Sequence, residues 1–165
     1  MARIEPEIGF VLSRDLRPRD NNYTEEEVGD AIGEVHLALE LVGCRYLDPG
    51  AVSFPEMLAD SISNAGLFVG PLVNRAPVNF PAAMPIALKN GGEIRNYDGR
   101  HRDGNPIRPV VWLANFLNSR GDLLRAGQVV ITGSYAGVLE APLGSPVKIQ
   151  FGDLGEIAVE FTTGS

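Results

Sequence analysis

Apolar residues take the even positions of the opening segment. From Arg3 to Leu12, Ile4, Ile8, Phe10 and Leu12 recur with a period of two, and Glu5 and Glu7 hold odd places between them. That alternation predicts a β-strand. Val35, Leu37, Leu39 and Leu41 alternate with His36, Ala38, Glu40 and Val42, which predicts a second strand, although a run so apolar also suits a helix. Between the two, Asp15 to Asn22 is polar and reads as a loop. Thr24 followed by Glu27 matches a capping box and predicts a short helix from Glu25 to about Gly33.

Further on, Pro55 stands where a helix can begin, with Met57, Leu58 and Ile62 as its apolar members. Leu67 to Gly70 predicts a short strand. Met84 to Tyr97 sets Asn90-Gly91 between strand-like arms, the pattern of a hairpin. Pro109 to Ser119 is the clearest helix. Val110, Leu113, Ala114 and Leu117 fall at i, i+3, i+4 and i+7, and Gly121 lies just beyond. Val129 to Thr132 predicts a buried strand that runs into Gly133-Ser134. Val147, Ile149 and Phe151 alternate before a Gly152-Asp153-Leu154-Gly155 turn, and Ile157, Val159 and Phe161 alternate after it. This predicts a terminal hairpin with one apolar face. The sum is an α+β fold: a mixed β-sheet with two or three short helices.

No linker, repeat or low-complexity tract interrupts the 165 residues, so positions 1–165 read as a single domain. With 44% hydrophobic and 21% charged residues, composition excludes intrinsic disorder. No apolar run approaches the ~20 residues of a membrane-spanning helix, and MARIEPEIGF lacks a signal-peptide pattern. The single cysteine, Cys44, excludes an intrachain disulfide and fits a reducing, cytoplasmic setting. A net charge of −7 argues against nucleic acid and anionic membrane surfaces as partners.

Three constellations carry candidate chemistry. Glu5 and Glu7, two apart on a strand, share a face. Two carboxylates that close repel, and one stays protonated unless a cation lies between them. Glu40 adds a third acid on the face of His36 and Ala38. Three hard oxygen ligands suit Mg²⁺ or Mn²⁺ and leave positions open for water or substrate. The plainer reading makes Glu5 and Glu7 a solvated strand face. Glu40, inside LALELV, must be paired, metal-bound or on the exposed side of an edge.

Thr132, Gly133 and Ser134 end a buried strand with hydroxyls and backbone N–H groups converging at one point. Such a point can hold a substrate carboxylate or an oxyanion, or it is an ordinary strand exit. Asp60 and Asn64 either face a pocket or serve as capping and turn residues. His36 and His101 stand alone, with no zinc-like Cys/His spacing, no nucleophile-elbow motif and no phosphate-loop or dinucleotide fingerprint. Arg95, Arg100, His101, Arg102 and Arg108, mixed with Asp98 and Asp103, read as a solvated loop or as a carboxylate-binding group.

Several segments together resemble the fumarylacetoacetate hydrolase superfamily. They are EPEIGFVLSRDL, ALELVGCR, FPEMLADSISNAGLFVG, WLANFLNSRGDLLRAGQVVITGS and GSPVKIQFGDLGEIAVEF. They look most like its branch of 2-keto-4-pentenoate hydratases, 2-oxo-hepta-3-ene-1,7-dioate hydratases and 4-oxalocrotonate decarboxylases. The resemblance spans essentially the whole chain. It implies a β-roll and a divalent metal held by an E-x-E pair and a later acid, positions that fall on Glu5, Glu7 and Glu40. It also puts Thr132 to Ser134 beside the substrate. The expected activity is that of a Mg²⁺- or Mn²⁺-dependent lyase of aromatic-compound catabolism. It would be a hydratase or related decarboxylase of 2-oxo or 2-hydroxy-dienoic acids. The expected partners are a small 2-oxo acid and, in assembly, a second copy or a full-length relative.

In this family a proton-transfer lysine and acid precede the E-x-E pair. The chain is therefore expected to match the C-terminal two-thirds of such a protein and to lack the usual N-terminal region, with Asp60 the local candidate for proton transfer. Alternatives are a non-catalytic or truncated partner subunit and a C–C hydrolase of the same superfamily, for which no His-Glu lid pair is visible. Gly43-Cys44 stands where the family tends to read Asp-Ser, and Gly104-Asn105-Pro106 where it tends to read Gly-His-Pro. Both departures bear on substrate choice.

Overall fold

Strand β1 (Ala2–Leu12) pairs antiparallel with β2 (Ile32–Val42), and the register sorts their residues onto two faces. Ile4 lies opposite Leu41, Pro6 opposite Leu39 and Ile8 opposite Leu37, so one face is apolar. Glu5 lies opposite Glu40 and Glu7 opposite Ala38 on the other. The computed structural model describes residues 1–74 and 76–163.

Around this pair the first sheet adds β3 (Asn64–Leu72) beyond β2. On its far side β1 pairs with β6 (Val129–Ile131) through Gly9 to Val11 and with β7 (Leu139–Ala141) through Ala2 to Ile4. Positions 5–8 of β1 therefore face the connection 132–138 instead of a strand. This explains why Pro6 is tolerated mid-strand. Its carbonyl accepts from the Tyr135 N–H at 3.1 Å. A residue of an antiparallel strand points its N and its carbonyl to the same side. The N–H that proline lacks would thus have faced the connection, and no bond to β2 is lost.

The second sheet has the order β5 (Glu93–Arg100), β4 (Ala83–Asn90), β8 (Pro146–Phe151), β9 (Gly155–Glu160). All pairings between named strands are antiparallel, and the parallel component is a single bridge between Leu143 and Phe161. The core is shared by Ile4, Ile8, Phe10, Leu37 and Leu39 from the first sheet and Ile86, Leu88, Ile149, Phe151 and Ile157 from the second, all essentially solvent-free.

Helix α1 (Glu25–Gly29) opens with the expected capping box: the Glu27 N–H donates to the Thr24 hydroxyl at 3.2 Å, and the Thr24 N–H donates to the Glu27 carboxylate at 2.8 Å. The helix stops earlier than Gly33 because Ile32 already belongs to β2. Thr24→Ala is expected to destabilise the fold by about 1 kcal/mol, the usual value of an N-cap hydroxyl, read as a lower urea midpoint at unchanged slope.

Helix α3 (Ile107–Ser119) begins two residues before Pro109 and buries Ile107, Val110 and Ala114. Proline is accommodated there because first-turn N–H groups have no intrahelical partner. Helix α2 (Phe54–Ala59) ends before Ile62, so Ile62 is not on its apolar face, and Leu58 is exposed. The hairpin turn is Gly91-Gly92, one residue later than expected, since Asn90 pairs with Glu93. Strand β3 is longer than Leu67 to Gly70, and β7 carried too few residues to register as a pattern. Among the described residues, no helix is long and apolar enough to cross a membrane.

Candidate metal centre

Register alone builds the acidic cluster. Glu5 and Glu7 share a face by being two apart, and directly opposed cross-strand residues bring their Cβ atoms to about 5 Å. Glu40 is the residue opposed to Glu5. One carboxylate oxygen from each of Glu5, Glu7 and Glu40 lies within 4.8 Å of the other two.

The cluster is also desolvated. Glu7 is 1% exposed because the 132–138 connection covers it. Burial pushes its carboxyl up to about 7, against the pull of the Gly133 N–H, and the Glu40 and Glu5 charges push the same way as burial. Glu5 is raised too, by burial first and then by Glu40, with Arg3 opposing from a distance. Among the described residues no lysine or arginine closes an ion pair with any of the three. One buried and two half-buried acids without an ion-paired cation among the described residues fit a hard divalent ion. Its charge removes the repulsion, and its oxygen preference matches the donors.

Two neighbours orient the carboxylates. The Gly133 N–H donates to Glu7 Oε2 at 2.6 Å, and Asn64 Nδ2 donates to Glu40 Oε1 at 2.9 Å. A cleft of about 470 Å³ opens over Glu5 and Glu40, lined also by Val42, Ser61, Ile62, Asn64 and Ile131. On its rim Ser61, Ile62 and Ser63 all have positive φ, 57°, 53° and 66°. For Ile62, a β-branched residue, that is backbone strain.

Within the Thr132-Gly133-Ser134 segment, Gly133 reaches the cluster through its backbone. Its φ of +115° is a conformation that suits glycine. The Ser134 hydroxyl is 3.3 Å from the Pro6 carbonyl and 3.2 Å from the Gly137 carbonyl, and it accepts from the Ala136 N–H at 3.2 Å. Ser134 thus organises its own loop, and Thr132 turns its carbonyl to His101.

Of its two sequence readings, Asp60 takes the capping and turn role, at the C-terminal end of α2. Arg45 Nη1 donates to its carboxylate at 2.7 Å and the Arg45 N–H donates at 3.1 Å. The Arg45 guanidinium, with its N–H, holds Asp60 below the usual aspartate range. Clamped and ionised, Asp60 is poorly suited to deliver a proton, and it sits one residue ahead of the cleft lining. Lys89 and Lys148 are both drawn to Glu156 on the second sheet, at 4.0 and 2.7 Å.

His101, read from the sequence as part of a solvated loop, is 4% exposed and packs under the Thr132-Gly133 segment. The signal was faint: Tyr97, Gly99 and His101 continue the inner face of β5, but arginines flank them. His36 bridges the Gly70 carbonyl and Glu34.

Comparison with known proteins follows the same lines. The chain is 30% identical over 165 residues to a 2-keto-4-pentenoate hydratase of Paraburkholderia xenovorans, covering 96% of this chain and 58% of that protein. It is 27% identical over 168 residues to a 4-oxalocrotonate decarboxylase of a Pseudomonas species, covering 97% and 60%. The structure of the 4-oxalocrotonate decarboxylase from Pseudomonas putida G7, complexed with magnesium and adipate, superposes with a TM-score of 0.75 at 22% identity, covering 97% and 60%. The chain therefore spans about three-fifths of the length of these relatives. Residues 1–164 match the model of one family nearly end to end, and the chain belongs to the fumarylacetoacetate (FAA) hydrolase C-terminal family.

Proposed function

We propose that this chain forms the metal-binding part of a lyase that hydrates or decarboxylates 2-oxo or 2-hydroxy-dienoic acids in aromatic-compound catabolism. The observation that carries the reading is the Glu5–Glu7–Glu40 cluster, built around the buried Glu7 and closing no ion pair with a lysine or arginine among the described residues. When bound, Mg²⁺ or Mn²⁺ supplies Lewis acidity toward the oxygens of a 2-oxo acid. The relatives named as hydratase and decarboxylase, and the magnesium complex of the latter, support this choice of ion and substrate.

In this reading Glu5, Glu7 and Glu40 would hold the cation, with Asn64 and the Gly133 N–H orienting the carboxylates of Glu40 and Glu7. Val42, Ile62 and Ile131 offer an apolar wall to the unsaturated carbon chain. Thr132, Gly133 and Ser134 border the substrate from the side of β1 that lacks a strand partner. Asp60, through Arg45, holds the strained segment that carries Ser61 and Ile62 into the cleft.

A second reading, a partner subunit that binds metal but relies on another chain or segment for proton transfer, is favoured by one observation. Asp60 and both lysines are tied up in ion pairs. Titrating the chain with Mn²⁺ and then assaying it on 2-hydroxypenta-2,4-dienoate separates the readings. One Mn²⁺ per chain with measurable loss of the dienoate is the expected result. Metal binding with no turnover selects the subunit reading. Absence of Mn²⁺ binding overturns both.

A further inference from the structure

We propose that His101 is a positioning residue for the metal centre, acting on Glu7 through the Thr132–Gly133 peptide. The inference rests on the reading of Glu7 as a metal ligand. The chain of contacts is short. His101 Nε2 lies 3.0 Å from the Thr132 carbonyl oxygen. The Gly133 N–H of the same peptide donates to Glu7 Oε2 at 2.6 Å. A trans peptide directs its carbonyl and its N–H to opposite sides, so His101 and Glu7 grip one rigid plane from its two ends.

The donor on each atom can be assigned. The Asp103 N–H donates to His101 Nδ1 at 3.2 Å. Nδ1 is therefore the acceptor, and Nε2 carries the hydrogen that goes to Thr132. Thr132 Oγ1, 3.4 Å from the same nitrogen, adds a second polar atom at that end. The ring is itself held: it meets Tyr135 edge-on at 5.4 Å between centroids, and the Tyr135 hydroxyl donates to the Pro81 carbonyl at 2.7 Å. The His101 backbone is pinned by its N–H on the Ala82 carbonyl at 2.8 Å.

This scaffold matters because Gly133 has no side chain to hold its peptide in place. Its φ of +115° lies where glycine moves freely, and a Cβ there would meet only His101 Nε2, at 3.8 Å. Without the grip on Thr132, the peptide can rotate and its N–H can leave Glu7. A donor to the carbonyl of a peptide also polarises that peptide and makes its N–H a better donor, so the bond to Glu7 is strengthened as well as aimed. The bond from Gly133 to Oε2 would thus set the orientation in which the Glu7 carboxylate meets a cation.

Two readouts test the proposal, one of them independent of metal. In the ¹H–¹⁵N spectrum of the metal-free chain, the Gly133 amide proton should lie downfield, and it should move upfield in Glu7→Gln and in His101→Phe. Phenylalanine keeps the ring packing on Tyr135 but has no donor. His101→Gln, whose amide can reach the Thr132 carbonyl, should restore the wild-type position. In Mn²⁺ titrations His101→Phe should weaken binding by about 10-fold or more, the scale for partners that orient a metal ligand, with His101→Gln close to wild type.

An unmoved Gly133 amide in His101→Phe overturns the proposal, as does equal Mn²⁺ affinity in the two variants when the wild-type chain binds Mn²⁺. Should His101→Phe fail to fold, the ¹⁵N shifts of wild-type His101 decide: a proton on Nδ1 instead of Nε2 overturns it. A Gly133 amide that responds as expected in a wild-type chain with no Mn²⁺ affinity sustains the positioning role and overturns the metal reading instead.

Discussion

Glu40→Gln is expected to lower the affinity for Mn²⁺ by more than about 100-fold, beyond the 10–100-fold scale of an orienting partner, while leaving the metal-free chain as stable as wild type or more so. Both halves follow from position. Glu40 is opposed to Glu5 across β1 and β2, and its carboxylate closes the triad to within 4.8 Å. Removing one ligand charge takes away an attraction that acts over ligand distances. The same change relieves the carboxylates that remain, since the Glu40 charge raises both Glu5 and Glu7. The glutamine can still accept from Asn64, which donates to the wild-type oxygen at 2.9 Å. Calorimetric titration and urea denaturation in chelator, run on the same preparations, check the two halves. Unchanged Mn²⁺ affinity would remove Glu40 from the site.

The second large effect is on pH. Glu7 rises from an ordinary 4.5 to about 7 on folding, chiefly through burial. A carboxyl whose folded value is raised favours the folded state when protonated. The metal-free chain should therefore be most stable below about pH 4.5 as far as this group is concerned. It should lose stability as pH rises to about 7 and level off above. The full swing is roughly 3 kcal/mol, from the factor of 1.36 kcal/mol per pK unit. Glu7→Gln should flatten that slope. Cation affinity should run the other way and rise with pH toward 7, because the ion must displace the proton. Urea midpoints in chelator across pH 4.5–7.5 are the measurement, and a flat wild-type profile would contradict the burial of an acid without a cation there.

Much of this fold could be read from alternation. The apolar faces of β1, β2, β8 and β9 follow a period of two, and the hairpin and α3 announce themselves by Asn90-Gly91 and by the spacing of Val110 and Ala114. The acids that the charge argument singled out are those that the fold brings together. What escaped depends on register, which alternation does not encode. That Glu40 faces Glu5 and not Glu7 is a property of the β1–β2 pairing. That His101 is buried under Thr132 requires β5 to pass beneath a connection distant in sequence. For Asp60 the sequence left pocket and turn roles open, because its partner Arg45, fifteen residues earlier, is brought to it only by the fold.

The register of β1 and β2 has a consequence for folding. These are the longest strands, 11 residues each, and both are apolar along one face. A slip of one residue between them would turn one strand over relative to the other. Either Glu5 and Glu7 on β1 or Glu40 on β2 would then point to the side of the core, and the aliphatic residues of that strand would leave it. Burying even one charge among aliphatic side chains is far more costly than leaving it on a surface. The acids thus guard the pairing during folding. Neutralising all three together should make a chain that collapses readily but pairs its two longest strands less faithfully.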